Sequence, residues 1–489
     1  MSKNNSNFNQ AVWLGISSFC SFSLAIVSAA ILSRYFSKTE YGTYKQILYI
    51  YSALQVIFTA GLPKVFAYFL PRLNMGQGKR MVNRINLLFI LLGAIFSILL
   101  YFSSDFIASL LKNPELSVGL RLFSPFPLFT IPTIGVEGIY TALRKTKYLT
   151  IYTILNKIFM LSCLVLPVIY IRNSYQTAII GWGVASFLTF IVAMYMKNRP
   201  YFGIKSETIP NMYKSLFRYS IPLMGAGIIG MFIQAANQFF ISRYYGTIAF
   251  AEFSNGFIQL PFVSMIASSV GAVLLPIFSK ASSEKNIEGV LNSYKNAVEK
   301  SAIILYPILL FCMFFAKEIL TILYGSQYST SALYFQIAMT ESFISIFPFM
   351  SVMLAIGKSN IYFWGHFGMA LLIWIIDALL VIFSSSAISI VGIYEIINIG
   401  LMMTFYFYLL KRQNIQLISK DIFVKILLIL IHCLFAIVVV YLLSIFFLPN
   451  IPIIYRLLIS GSLFYIFIIT TGKKLDLNYI KPVLMLLEK

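Results

Sequence analysis

The sequence predicts an all-α polytopic membrane protein of about 14 transmembrane helices, built on an internal duplication. Three observations carry that reading. Hydrophobic residues make up 59% of the 489-residue chain and charged residues 11%, with mean hydropathy +0.85. A water-soluble protein of this length could not cover its surface with so few charges. Apolar runs of about 20 residues recur along the whole chain, each long enough to cross a hydrocarbon core of roughly 30 Å as a helix. Finally, short segments repeat at a nearly constant offset. Ser33-Arg34-Tyr35-Phe36 returns as Ser242-Arg243-Tyr244-Tyr245, 209 residues later. Ala142-Leu143-Arg144-Lys145-Thr146-Lys147 is answered by Ala355-Ile356-Gly357-Lys358-Ser359-Asn360, at an offset of 213. Offsets that drift so little argue for a duplicated unit of about 200 residues.

The first apolar run, 11–33, follows a single basic residue, Lys3, and is longer than a signal-peptide core, so it reads as an uncleaved helix. Runs at 45–70, 85–104, 120–141, 148–171 and 175–196 complete an N-lobe of six spans over residues 1–200. The polar stretch from Lys197 to Lys214, with Pro200 and Pro210, marks a linker, bounded as 201–214. A C-lobe over 215–412 holds runs at 215–241, 249–276, 298–316, 331–356, 361–385 and 387–410. Two further runs, 422–447 and 451–471, have no counterpart in the repeat and form an appendage over 413–489. Six spans per lobe give both lobes the same orientation, related by an axis along the membrane normal. Between the eighth and ninth runs, Ile287, Val290, Leu291, Tyr294 and Val298 share one helical face, which predicts an amphipathic helix on the inner membrane surface.

The net charge of +21 has a topological explanation. Of the 37 Lys and Arg residues, 26 fall at the N-terminus, in even-numbered loops or in the tail; nine fall on the opposite side, and Lys64 and Lys157 lie within spans. That bias predicts cytoplasmic termini and contact with anionic lipid heads. It excludes a nucleic-acid partner, since no soluble basic domain exists to carry one. Cys20, Cys163, Cys312 and Cys433 all fall inside spans without metal-ligand spacing, so no disulfide framework, metal site or cofactor is expected. His366 and His432 read as packing or interfacial residues.

Leu32-Ser33-Arg34-Tyr35-Phe36, Glu40-Tyr41-Gly42-Thr43-Tyr44 and Ala142-Leu143-Arg144-Lys145-Thr146-Lys147, with their second-lobe partners, resemble the multidrug/oligosaccharidyl-lipid/polysaccharide exporter superfamily. The chain is most similar to its polysaccharide-biosynthesis branch, which contains the O-antigen-type flippases. The resemblance implies two six-helix bundles around a central cavity that opens to alternate sides. It leaves the cargo open, because drug and cation antiporters and lipid II flippases share the superfamily.

Intramembrane charges then become candidates for mechanism, since each costs at least about 2.5–3.5 kcal/mol at mid-span. A lipid-linked oligosaccharide must bring a pyrophosphate and sugars across the bilayer, and cations at several depths would ease the head group through. Lys157 lies about 14 Å into the fifth span at a rise of 1.5 Å per residue, with Glu137 at similar depth as an alternative ion-pair partner. Lys64 follows Gly61-Leu62-Pro63 in the second span, and could instead extend its ammonium to the inner surface. Arg34, Lys45 and Arg243 cluster at the outer ends of spans 1, 2 and 7, where Arg suits a phosphate fork and interfacial anchoring alike. Asp377 and Glu395 share a depth of roughly 12 Å on a predicted hairpin, level with Gln234, Asn237 and Gln238. With Glu341 at mid-span, Asn237, Asp377 and Glu395 are the candidates for cation or proton coupling. The resemblance supports this placement, because spans 7, 11 and 12 hold cation sites in some superfamily members. Polar residues there could equally join helices.

The expected function is a flippase. It would move a polyprenyl-pyrophosphate-linked oligosaccharide from the inner to the outer leaflet of a bacterial inner membrane for O-antigen, capsule or exopolysaccharide synthesis. Membrane lipids and a polysaccharide polymerase are candidate partners, and H⁺, Na⁺ or the membrane potential is the candidate drive. Three alternatives remain. A drug or organic-cation antiporter would favour an acidic, aromatic cavity. An oligosaccharide-lipid polymerase or ligase would be expected to carry a long extracytoplasmic loop. A structural scaffold would not need the intramembrane charges. No catalytic residues are assigned, and an enzyme is not expected.

Overall fold

The computed structural model describes residues 2–283, 288–413 and 415–480. Within these the chain is helical, with short 3-10 turns and no strand. Twelve helices are long and apolar enough to span a membrane, and two bent helix pairs bring the total to 14. The predicted spans therefore appear in order, two of them broken.

α1 (Ser2–Tyr35) ends at the Ser33-Arg34-Tyr35 segment, and α2 (Lys38–Phe58) begins immediately. The start of α2 is fixed by its sequence: Ser37 accepts from the Glu40 N–H at 3.3 Å, and the Glu40 carboxylate accepts from the Ser37 N–H at 3.2 Å. Such a reciprocal cap satisfies two otherwise orphaned donors. Pro63 and the left-handed Ala60 and Gly61 interrupt the second span, so α3 (Pro63–Phe69) and the turn after it leave α2 at 41°. α4 (Met75–Leu110) is a single 36-residue helix. The fourth span breaks at Ser124-Pro125, bending 51° between α5 (Glu115–Phe123) and the following α6 (Phe126–Thr133) and α7 (Val136–Ala142). α8 (Thr146–Tyr170) and α9 (Tyr175–Asn198) run against each other, and α8 also packs on α1.

After the linker come α10 (Met212–Phe240), a π-helical turn over Ile241–Tyr245 and α11 (Gly246–Gly256). Thus Ser242-Arg243-Tyr244-Tyr245 terminates a long helix as its first-lobe counterpart does. Gly42 sits so close to the backbone of Thr247 that a Cβ would fall 2.1 Å from its carbonyl oxygen, which explains why glycine follows Tyr41. The eighth span starts later than expected, at Pro261, in α12 (Pro261–Ser283).

α13 (Glu288–Phe314) is continuous, so its first turns are not a separate surface helix. Tyr294 and Val298 are fully buried, packing inward where lipid contact was expected, and Ile287 lies outside the described residues. The chain continues through α14 (Ala316–Tyr324), α15 (Ser331–Ile344), α16 (Phe349–Ala355), α17 (Ser359–Phe383) and α18 (Ala387–Gln413). The appendage is the hairpin α19 (Lys420–Phe447) and α20 (Ile453–Gly472).

The contacts divide the chain into two compact units, Met1–Ala251 and Glu252–Lys489. The division falls one helix beyond the linker because α10 packs on α2 and α3. In the second unit α19 lies along α13, and Lys425–Glu299 (2.7 Å) and Arg456–Glu318 (2.9 Å) pair the appendage with α13 and α14.

Candidate functional site

In the first unit α1, α2, α8 and α9 enclose a cavity of about 280 Å³, lined by Lys45 and Lys157 together with Tyr44 and Trp182. Lys45 leaves α2 one turn after Tyr41 and holds its ammonium 5.2 Å from that ring's centre. Lys157 is exposed and makes no ion pair with Glu137, itself exposed on α7. Two cations chosen separately from the sequence thus meet in one aromatic-walled recess, without a carboxylate in its lining. Such a recess attracts anions, and the half-buried Trp182 adds aromatic surface to its wall beside the buried Tyr44.

The other basic candidates lie outside it. Arg243 donates from Nη1 to the carbonyl of Leu110, capping the end of α4, and its guanidinium stands 5.5 Å from the Tyr244 ring centre. Arg34 is exposed at the last turn of α1. Lys64 is exposed in the first turn of α3, beyond the bend.

Beside the cavity, α2 carries a buried polar chain. Asn113 Nδ2 donates to Thr43 Oγ1 (3.0 Å) and Gln46 Oε1 (2.6 Å), and Gln46 Nε2 donates to Ser242 Oγ (2.6 Å). This chain gives the serine of the second repeated motif a structural task. Thr43 and Gln46, polar residues three apart in the first half of α2, were its sequence signal.

A deeper cation escaped the sequence reading. Lys197, grouped above with the polar linker stretch, lies in the last turn of α9 and is fully buried. Its ammonium donates to Asn86 Oδ1 (2.9 Å), Pro132 O (2.6 Å) and Ile134 O (2.7 Å), and faces the rings of Phe89 and Phe66. The two carbonyls belong to the break between α6 and α7, where Pro132 and left-handed Gly135 interrupt the helix. Three donors meet three acceptors, so Lys197 holds the broken span together.

The coupling candidates divide between the units: the amide Asn237 lies in the first, and the carboxylates Glu341, Asp377 and Glu395 in the second. Asn237 is buried on α10 in the first unit, and its Oδ1 has no donor among the described residues. Gln234 and Gln238 line a separate recess of about 290 Å³ between α10 and α2. In the second unit Asp377 on α17 is 0% exposed and Glu395 on α18 is 3% exposed. No carboxylate oxygen of either receives a hydrogen bond among the described residues. A buried ionised carboxylate without a partner is costly, so each side chain is suited to carry a proton or a cation. Glu341, on α15 where that helix packs against α18, accepts from Gln259 Nε2 at 3.3 Å. Asn398, one turn beyond Glu395, is also buried. No group of three or more His, Cys, Asp or Glu among the described residues is placed to hold a metal ion.

The family described as polysaccharide biosynthesis protein matches residues 31–333, more than half of the sequence. The chain belongs to that family. Among solved structures, the chain is similar to the lipid II flippase MurJ in an inward closed conformation. That match has a TM-score of 0.71 at 16% identity and covers 95% of this chain and 100% of MurJ. It is also similar to a MOP superfamily transporter from Pyrococcus furiosus (TM-score 0.56, 13% identity, 83% of this chain and 96% of that one). An inward-facing multidrug resistance MATE transporter gives a TM-score of 0.59 at 13% identity, over 82% of this chain and 93% of that one. These likenesses establish the exporter fold. No curated protein matches the sequence.

Proposed function

We propose that this protein is a flippase. Its cargo is a polyprenyl-pyrophosphate-linked oligosaccharide, moved by alternating access from the inner to the outer leaflet of a bacterial inner membrane for surface polysaccharide synthesis. The observation that carries the reading is the recess holding Lys45 and Lys157 beside Tyr44 and Trp182. Its cations suit a pyrophosphate and its rings suit sugars, and the family membership supports a polysaccharide pathway. A carrier of organic cations would be poorly served by two lysines in such a recess.

Asp377 and Glu395 serve as the coupling groups in this proposal, with Glu341 and Asn237 as further candidates. Their occupancy by a proton or Na⁺ would reset the unloaded transporter. The cargo itself can be driven by voltage, because outward movement of each negative charge is downhill by about 2.3 kcal/mol per 100 mV.

Depleting the protein in its native cell separates the readings. The flippase reading expects lipid-linked oligosaccharide to accumulate in the inner leaflet while surface polysaccharide falls, with drug tolerance unchanged. Unaltered polysaccharide with lost drug tolerance would instead identify an antiporter.

A further inference from the structure

The first turns of α4 and the start of α10 enclose, with the end of the linker, a recess of about 450 Å³ lined by Arg80, Arg84, Thr208, Asn211 and Lys214. Arg80 and Arg84 are one turn apart and leave α4 on the same face. No carboxylate lines the recess, and none of its three cations has an ion pair or hydrogen bond among the described residues.

The charges nearby are already answered. Lys79 Nζ donates to Ile204 O at 2.7 Å. Glu207 accepts from Asn74 Nδ2 at 2.7 Å, and its own N–H donates to Gly76 O at 3.1 Å. Tyr201 closes on Gly78, where a Cβ would come within 3.0 Å of the ring. These contacts strap the linker to α4, so the recess has fixed walls. Three cations held around one recess repel each other, and an anion relieves all three at once.

Depth indicates which anion. At 1.5 Å per residue the 36-residue α4 is about 54 Å long, well beyond a hydrocarbon core of roughly 30 Å. Its outward apolar stripe begins just past the arginines, with Leu87 48% and Leu91 51% exposed, and on α10 Ile221 is 54% exposed. The recess therefore lies at the level of lipid headgroups. We propose that it binds the phosphate of a membrane-lipid headgroup. Arg80 and Arg84 fork onto the phosphate oxygens, Lys214 supplies a third charge and Thr208 a hydroxyl donor. This proposal is independent of the flippase reading.

The test uses the full-length protein in detergent, titrated with dioctanoyl phosphatidylglycerol and, separately, with inorganic pyrophosphate. The doubly substituted Arg80→Gln, Arg84→Gln protein should bind the lipid about tenfold or more weakly, a change of roughly 1.4 kcal/mol. A control carrying Lys145→Gln and Lys147→Gln loses the same charge outside the recess and should bind as the unaltered protein does. Equal weakening in both would show a diffuse basic surface and overturn the proposal. Pyrophosphate binding more tightly than the lipid would overturn the headgroup assignment. If the double variant loses its thermal transition, Lys214→Gln and the charge-retaining Arg84→Lys replace it. Lys214→Gln should weaken binding and Arg84→Lys should retain part of it; no change in Lys214→Gln would count against the site.

Discussion

Lys45 and Lys157 bring the functional reading down to two side chains that line one recess. If they hold the anionic head, Lys157→Gln and Lys45→Gln should each reduce flipping about tenfold or more at normal protein abundance, as loss of a charge-assisted hydrogen bond does. Lys157→Arg should keep part of the activity. The assay is surface polysaccharide per unit of folded transporter, and normal levels in both Gln variants would contradict the assignment. Lys197 predicts a different outcome. Lys197→Met leaves Pro132 O, Ile134 O and Asn86 Oδ1 without their donor, a loss of about 3 kcal/mol or more. Its thermal midpoint and abundance should fall together, and Lys197→Arg should not restore them because the larger guanidinium cannot fit the same three acceptors. An unchanged midpoint in Lys197→Met would remove the ammonium from its role at the break.

The duplication is visible down to individual hydrogen bonds. α7 and α16 each have seven residues and end in the same cap. Lys145 N–H donates to Tyr140 O at 2.8 Å, and Lys358 N–H donates to Met353 O at 2.9 Å, both pairs offset by 213. Arg144 (φ +56°) and Gly357 (φ +72°) occupy the same left-handed position. That geometry suits glycine and strains other residues by about 1 kcal/mol or more. Gly357→Val should therefore lower thermal stability, while Arg144→Gly should leave it equal or raised; the reverse order would disprove the shared cap. The element pattern was legible because apolar length and repeat offset are local to the sequence. Broken spans were less so: Gly61-Leu62-Pro63 was visible, yet the hydropathy of 45–70 runs unbroken across the 41° bend. The heptad-like face at 290–298 misled for a related reason, since inward packing and membrane contact require the same apolar stripe. Lys197 was missed because proximity to the linker suggested solvent, whereas carbonyls freed at Pro132 and Gly135, some 60 residues earlier, are what hold it.

The whole molecule carries an anion-attracting recess in one unit and buried carboxylates in the other. The positive-inside bias adds an orientation, so a reporter fused at Lys489 should score as cytoplasmic. An extracytoplasmic score would overturn the count of fourteen spans and the orientation with it. If Asp377 and Glu395 reset the carrier, Asp377→Asn should slow repeated turnover under an ion gradient while sparing a single voltage-driven passage. Equal turnover in Asp377→Asn and the unaltered protein would leave these carboxylates with a structural role. The decisive measurement is flipping in proteoliposomes containing a fluorescent polyprenyl-pyrophosphate oligosaccharide, with voltage and ion gradients imposed separately. A flippase of anionic cargo gives protein-dependent transfer between leaflets that accelerates when the receiving side is positive and falls in the variants Lys45→Gln and Lys157→Gln. Transfer that is absent, or indifferent to both voltage and the two lysines, would contradict the flippase reading.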